Sequence, residues 1–282
     1  MNLIHFKTID STNARALELL AAAQNVRELD QTVIAADEQS AGRGRLKRAF
    51  YSPAKSGVYF TAIYAPAEPI QDSAALTVAA AVAVCRSLRE FFGVDAKIKW
   101  VNDIYVAGKK VCGILAEGHL DSQGKIDAAA IGIGINIYPS DFPAEIADRA
   151  GAVLGWEQNR PQAQEAAAST DCKASTDCAP KNCSQDQETR GDIRLDLARG
   201  VSQKLFDLLQ GGADAWEAAL AEYRERSFII GKEITVIPVI GDERSSYPAI
   251  VLGIDKEARL LVRLDDGSER ALSSGEISIK LQ

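Results

Sequence analysis

Two glycines alternating with two arginines, Gly42-Arg43-Gly44-Arg45, constrain this chain more than any other stretch. They belong to the run Asp37-Glu38-Gln39-Ser40-Ala41-Gly42-Arg43-Gly44-Arg45-Leu46-Lys47-Arg48, in which four cations fall within six residues. A β-branched segment, Thr32 to Ala36, leads into the run, and a second strand-like segment, Val58 to Tyr64, follows it. Glycine lets a backbone approach a ligand closely, and guanidinium groups grip phosphate or carboxylate oxygens in pairs. Such a loop suits an anion that it can fold over. Read by itself, it is equally a solvated basic hairpin.

The flanking chain is rich in element signals. Residues 2 to 9 read as a short strand ending at Asp10-Ser11-Thr12-Asn13, residue types that cap the helix expected over Ala14 to Ala23. A capped helix start is also an anion site. Phe50-Tyr51-Ser52-Pro53 is a turn with two aromatic rings. Ser73 to Phe92 predicts a long alanine-rich helix, capped by Asp72 or Ser73 and closed by Gly93. Lys97 to Trp100 alternates as a strand does and runs into Val101-Asn102-Asp103. Ile104 to Val106 and Val111 to Leu115 then form a hairpin about Ala107-Gly108-Lys109. The strand expected over Ala128 to Ile137 carries Gly132 and Gly134, which strip one of its faces of side chains. Those glycines are no dinucleotide fingerprint, because the third glycine and the following helix are missing.

From 157 to 192 large apolar residues nearly vanish, and Ala168-Ser169-Thr170-Asp171-Cys172 repeats as Ala174-Ser175-Thr176-Asp177-Cys178. This composition predicts a flexible surface insertion. Cys172, Cys178 and Cys183 lack the paired spacing of a zinc site. Helical periodicity resumes over Ile193 to Leu209 and Asp214 to Arg226. Short strands over 233–240, 247–254, 260–264 and 269–272 then suggest a small barrel. The expected division is 1–228 and 229–282.

At 282 residues the chain can bury a sizeable core, and its net charge of −7 argues against general nucleic-acid binding. No basic, apolar and cleavable leader is visible, and the apolar window Ala74 to Cys85 is too short to span a bilayer. Five cysteines without a leader fit reduced thiols, so the expectation is a cytoplasmic protein with no membrane partner.

The basic loop, Lys99-Trp100-x-Asn102-Asp103, Gly113-Ile114-Leu115 and Gly132-x-Gly134-x-Asn136, in this order, resemble biotin–protein ligases (biotin–[acetyl-CoA-carboxylase] ligases) in the form without an N-terminal DNA-binding domain. The resemblance implies an α+β fold: a mixed sheet flanked by helices, like class II synthetases, followed by an SH3-like barrel. It implies ATP-dependent activation of biotin to biotinyl-5′-AMP, then transfer to a lysine of the biotin carboxyl carrier protein or another carboxylase biotinyl domain. Biotin, ATP and Mg²⁺ would take part, with no DNA partner and a monomer or homodimer as the assembly. By the same resemblance, Ser11, Thr12, Asn13 and Gln39 shape the biotin end. Gly42, Arg43, Gly44 and Arg45 form the closing loop, with Arg45 and Lys110 on the carboxyl and phosphoryl oxygens. Asn102 and Asp103 face the adenylate and metal, Asp103 either accepting the lysine proton or orienting groups near Mg²⁺. Gly113, Ile114 and Leu115 line the biotin pocket, Asn136 lies near adenine and ribose, and Phe50 offers adenine a stacking face. Trp100 counts among the ligand-binding candidates, although packing accounts for it as well. The chain departs from the family pattern at Lys47 (usually glycine), Phe50 (usually tryptophan) and Val101 (usually proline). Lipoate or octanoate transfer on the same fold, or biotin binding without catalysis, are the competing functions.

Overall fold

The computed structural model describes residues 1–71, 73–155, 192–237, 246–273 and 276–279. The expected insertion at 157–192, apart from Asp192, lies outside them, as do its three cysteines, the helix-capping candidate Asp72 and strand residues 238–240.

A seven-stranded sheet forms the larger body, built from β1 (Asn2–Ile9), β2 (Thr32–Gln39), β3 (Gly57–Tyr64), β4 (Lys97–Lys99), β5 (Asp103–Val106), β6 (Lys109–Leu120) and β7 (Ile126–Asn136). The spatial order is β1-β2-β3-β7-β6-β5-β4. Only β1 and β2 run parallel, so the sheet is mixed, as expected. The β5–β6 hairpin turns through Ala107 and Gly108, both at positive φ (49° and 77°), the pairing a tight two-residue turn requires. β6 and β7 extend beyond the runs read from sequence, because polar and charged residues continue the ladder at the rim.

Among the described residues four α-helices cover this sheet: α1 (Thr12–Ala22), α2 (Ser73–Phe92), α3 (Ile193–Gln210) and α4 (Gly212–Arg226). Strand period decides which face each one meets. Ile34, Ile63, Ala128 and Ala130 pack with Ala16 and Leu20 of α1. Their neighbours Val33, Ala35, Ala62, Ala129 and Ile131 face α2 and α3. The alanines of α2 are buried from Ala79 to Ala83, so the helix lies close on the sheet. Gly93 ends it at φ +68°, donating its N–H to the Arg89 carbonyl.

A second, antiparallel sheet follows from β8 (Glu233–Ile237), β9 (Tyr247–Ile254), β10 (Leu260–Arg263), β11 (Glu269–Leu272) and β12 (Glu276–Ile279), in the order β11-β10-β9-β8-β12. It is the small SH3-like unit expected, although among the described residues no pairing of β11 with β12 closes it into a barrel. One apolar core runs through both sheets. The Trp100 indole Nε1–H donates to the Ala258 carbonyl at 3.0 Å, and Arg224 Nε to the Ile254 carbonyl at 2.7 Å. The Tyr223 hydroxyl, at the end of α4, donates to the Val101 carbonyl at 2.8 Å. The segment after β4 is therefore gripped from two sides.

Trp100→Phe removes the donor and leaves the buried Ala258 carbonyl unpaired, so urea unfolding should show a loss of about 1–3 kcal/mol; an unchanged midpoint would refute this account. Cys85 and Cys112 are buried, and burial pushes both thiols up, Cys85 to about 12. Mass spectrometry after alkylation at pH 8 should find both unmodified in the folded protein and modified once it is unfolded.

Candidate active site

The site face of the central strands is determined by what they omit. β3, β7 and β6 align Tyr59 with Gly134 and Gly113, and Thr61 with Gly132 and Leu115. The alternate residues, Phe60, Ile133, Cys112 and Ile114, belong to the core. The missing side chains leave a trough, and two other side chains lie in it. A methyl on Gly132 would come 2.1 Å from Asn13 Oδ1, and one on Gly134 would come 2.4 Å from the Phe50 ring. Phe50 also covers Gly113 and meets Tyr59 edge-on, with centroids 6.3 Å apart. Phe50, expected as a stacking face for adenine, packs on the floor and borders the cavity.

Above this floor opens a cavity of about 250 Å³. One end is polar and uncharged. Ser11 caps α1, accepting from Ala14 N–H, and Gln39 Oε1 accepts from Thr12 N–H at 2.8 Å and Thr12 Oγ1 at 3.1 Å. Gln39 Nε2 donates to Ser52 Oγ at 3.0 Å. The Thr61 hydroxyl lies within 2.9 Å of Thr12 Oγ1 and 2.7 Å of Asn13 Oδ1. The α1 N-terminus is thus occupied by a neutral carbonyl, which favours a neutral polar ligand group at this end.

The other end is cationic. Arg43, Arg45, Arg48, Lys99, Lys110 and Arg149 line the cavity, with Asp103 as the one carboxylate on its wall among the described residues. Arg45 Nη1 donates to Asn102 Oδ1 at 3.2 Å, while Asn102 is fixed to Ile114 by bonds in both directions. Lys110 Nζ stands 2.6 Å from Asp103 Oδ1. Asp103 therefore holds the lysine in place, and an arriving anion can draw the lysine away. Burial, with Asp103 nearby, pushes the Tyr105 hydroxyl up to about 12, so Tyr105 adds no negative charge to this wall at neutral pH. The segment 148–151 zips onto Lys110: Lys110 N–H donates to the Arg149 carbonyl and Gly151 N–H to the Lys110 carbonyl, each at 2.8 Å.

The expected residues Ser11, Thr12, Asn13, Gln39, Arg43, Gly44, Arg45, Phe50, Asn102, Asp103, Lys110, Gly113, Ile114, Leu115 and Asn136 all border this cavity. Two do not. Trp100 is only 4% exposed and packs in the core against Ala258. Gly42 borders an adjoining pocket, and its own space is filled: a methyl there would lie 2.4 Å from the Phe50 carbonyl. The left-handed residue of the loop is Leu46 (φ 54°), next to the position where the family pattern has glycine. Sequence reading missed Thr61, hidden in an apolar strand, and Arg149 and Glu117, which lie far along the chain from the basic loop.

A single carboxylate, Asp103, suits Mg²⁺ that arrives on a nucleotide's phosphates rather than in a cage made wholly of protein. Among the described residues, no cluster of three or more His, Cys, Asp or Glu side chains is placed to hold a metal by itself. The cavity pairs a neutral dead end with a cationic mouth. It can seat an uncharged polar head group and gather negative charge beside it.

Gly134→Ala should expel the Phe50 ring and destabilise the fold, and should cost far less in a Phe50→Ala background. A thermodynamic cycle should give a coupling above about 1 kcal/mol, and additivity would show that the ring does not rest there.

The "Biotin/lipoate A/B protein ligase family" profile matches residues 5–136, and the "Biotin protein ligase C terminal domain" profile matches 229–280. The bifunctional ligase/repressor BirA of Bacillus subtilis is 41% identical over 149 residues, 52% of this chain and 44% of that protein. The biotin–[acetyl-CoA-carboxylase] ligase of Mycobacterium tuberculosis is 32% identical over 148 residues, 51% of this chain and 52% of its own. The matched stretches thus span about half the length of these relatives. The biotin protein ligase of Aquifex aeolicus, solved with biotin and ATP, aligns over 100% of this chain and 99% of its own, with a TM-score of 0.69 and 25% identity.

Proposed function

The chain belongs to the biotin protein ligase family, and from that premise we propose that it activates biotin with ATP and attaches it to a lysine of a carboxylase biotinyl domain. The observation that carries this reading is the cavity itself, a neutral polar pocket opening directly into a cluster of cations. The ureido ring of biotin is neutral and rich in hydrogen-bonding groups, while its carboxylate and the ATP phosphates are anionic.

Ser11, Thr12 and Gln39 receive the ureido ring, Asn13 shapes that end, and Leu115, with the backbone of Gly113 and Ile114, lies against the apolar body of biotin. In the first step a biotin carboxylate oxygen attacks the α-phosphorus. A phosphorus–oxygen bond forms, the bond to the β-phosphate oxygen breaks, and pyrophosphate leaves. Lys110 and Arg45 neutralise the two anions that must meet and the charge that builds on the phosphoryl oxygens. Magnesium would shield the departing pyrophosphate, with Asp103 as the carboxylate able to hold it. In the second step the acceptor amine attacks the acyl carbon, an amide forms, and AMP leaves. Asp103, released when Lys110 turns to the phosphate, takes the amine proton. Asn136, fixed through its Nδ2 to the Gly151 carbonyl, braces the wall on the nucleotide side. No covalent enzyme intermediate is needed, in keeping with the burial of Cys85 and Cys112.

Biotin-dependent exchange of labelled pyrophosphate into ATP with Mg²⁺ tests the first step. It should proceed in the unaltered chain and fall by about 10²-fold or more in Arg45→Ala and Lys110→Ala. Exchange with lipoate and not with biotin would move the chain to the lipoate branch of its fold, and exchange with neither would leave a binding protein.

A further inference from the structure

Glu117 lies one strand repeat beyond Leu115 on the site face of β6, and no role has been given to it so far. Its two carboxylate oxygens bind different parts of the molecule. Oε2 accepts from Asn13 Nδ2 at 2.8 Å, on the helix that starts at the neutral end of the cavity. Oε1 accepts from Arg43 Nη2 at 2.9 Å, on the basic loop.

The connections continue beyond these two bonds. From Asn13 the hydrogen bonds pass to Thr61, Thr12, Gln39 and Ser52, and Ser52 Oγ donates to the Phe50 carbonyl at 2.9 Å. Arg43 and Phe50 are near the two ends of the same loop. Both ends are thus tied through one chain of bonds beneath the cavity, and Glu117 is the charged link that joins this chain of bonds to Arg43. The circuit crosses the groups proposed to meet the ureido ring. Occupancy of that end and closure of the loop are therefore linked through one set of side chains.

We propose that Glu117 is a positioning residue that holds Arg43, and with it the basic loop, over the activated intermediate, so that the acyl-adenylate stays in the site until the acceptor lysine arrives. This deepens the ligase reading and rests on it. The pair is partly exposed, with 45% of the Arg43 side chain and 24% of the Glu117 side chain accessible. Its effect on loop closure is accordingly modest in energy but visible in a rate.

The test uses the full chain with biotin, ATP and Mg²⁺ and no acceptor, following adenylate that leaves the protein and the biotin that then appears on a bystander protein without a biotinyl domain. Glu117→Gln keeps an acceptor for Asn13 and loses the ion pair, and it should release adenylate roughly fivefold faster. Its Km for ATP in pyrophosphate exchange should rise more than kcat falls. Arg43→Gln should leak to the same extent. The double variant, in which two amides face each other, should leak no more than either single one. Retention equal to the unaltered chain in Glu117→Gln, or leakage that multiplies in the double variant, would overturn the role of Glu117 alone. Absence of any adenylate from the unaltered chain would overturn the ligase reading and this inference with it. If Glu117→Gln does not fold, Arg43→Gln removes the same pair from an exposed position and decides the matter.

Discussion

The trough left by Gly132, Gly134 and Gly113 is the constraint on which the rest of the site depends. A sheet surface at these positions would normally carry a layer of side chains, and the cavity would be filled from below. Here the backbone itself forms the floor, and the space goes to two selected side chains, Asn13 from α1 and Phe50 from the basic loop. The register of β3, β7 and β6 sets which row receives which visitor. A one-residue slip would present isoleucines to the cavity and glycines to the core, so site and core are specified together.

The electrostatics follow from that arrangement. Uncharged donors and acceptors are gathered at the α1 end of the floor, and cations where the loop and the β5–β6 hairpin converge. Lys110 rests on Asp103 at a wall that is only partly buried. An ion pair in such a place is easily exchanged for a better partner, because neither charge has lost all its water. The site is held in readiness by bonds that a ligand can replace.

Much of this was legible in the sequence, for reasons that differ by residue. Gly132 and Gly134 announced a bare face because glycine at alternating strand positions has few other uses. Ser11 and the long helix over 73–92 were visible from capping chemistry and periodicity. Five short strands were expected in the second sheet, but the fifth, Glu276–Ile279, received no bounds because it is short and polar at its start. Thr61 looked like any β-branched strand residue; only the packing of Asn13 against it reveals a hydroxyl with a task. Phe50 was expected to offer adenine a face; its ring rests in the trough over Gly134 and Gly113, a contact that no local pattern announces. Glu117 had no local signature at all. Its importance arises from two partners that lie 74 and 104 residues away, and long-range pairing of this kind is not encoded in any window of sequence.

The grip of Trp100 on Ala258 also has a consequence for when this protein becomes competent. The two partners are separated by 158 residues. Asn102 and Asp103 follow Trp100 with only Val101 between, so the wall of the cavity is steadied by strands made almost last. During synthesis the basic loop, the glycine floor and Lys110 all leave the ribosome long before the contact that braces the segment between them. A nascent chain would carry most of the site's groups without the site, and the cavity would take its working shape only as the final strands fold onto it.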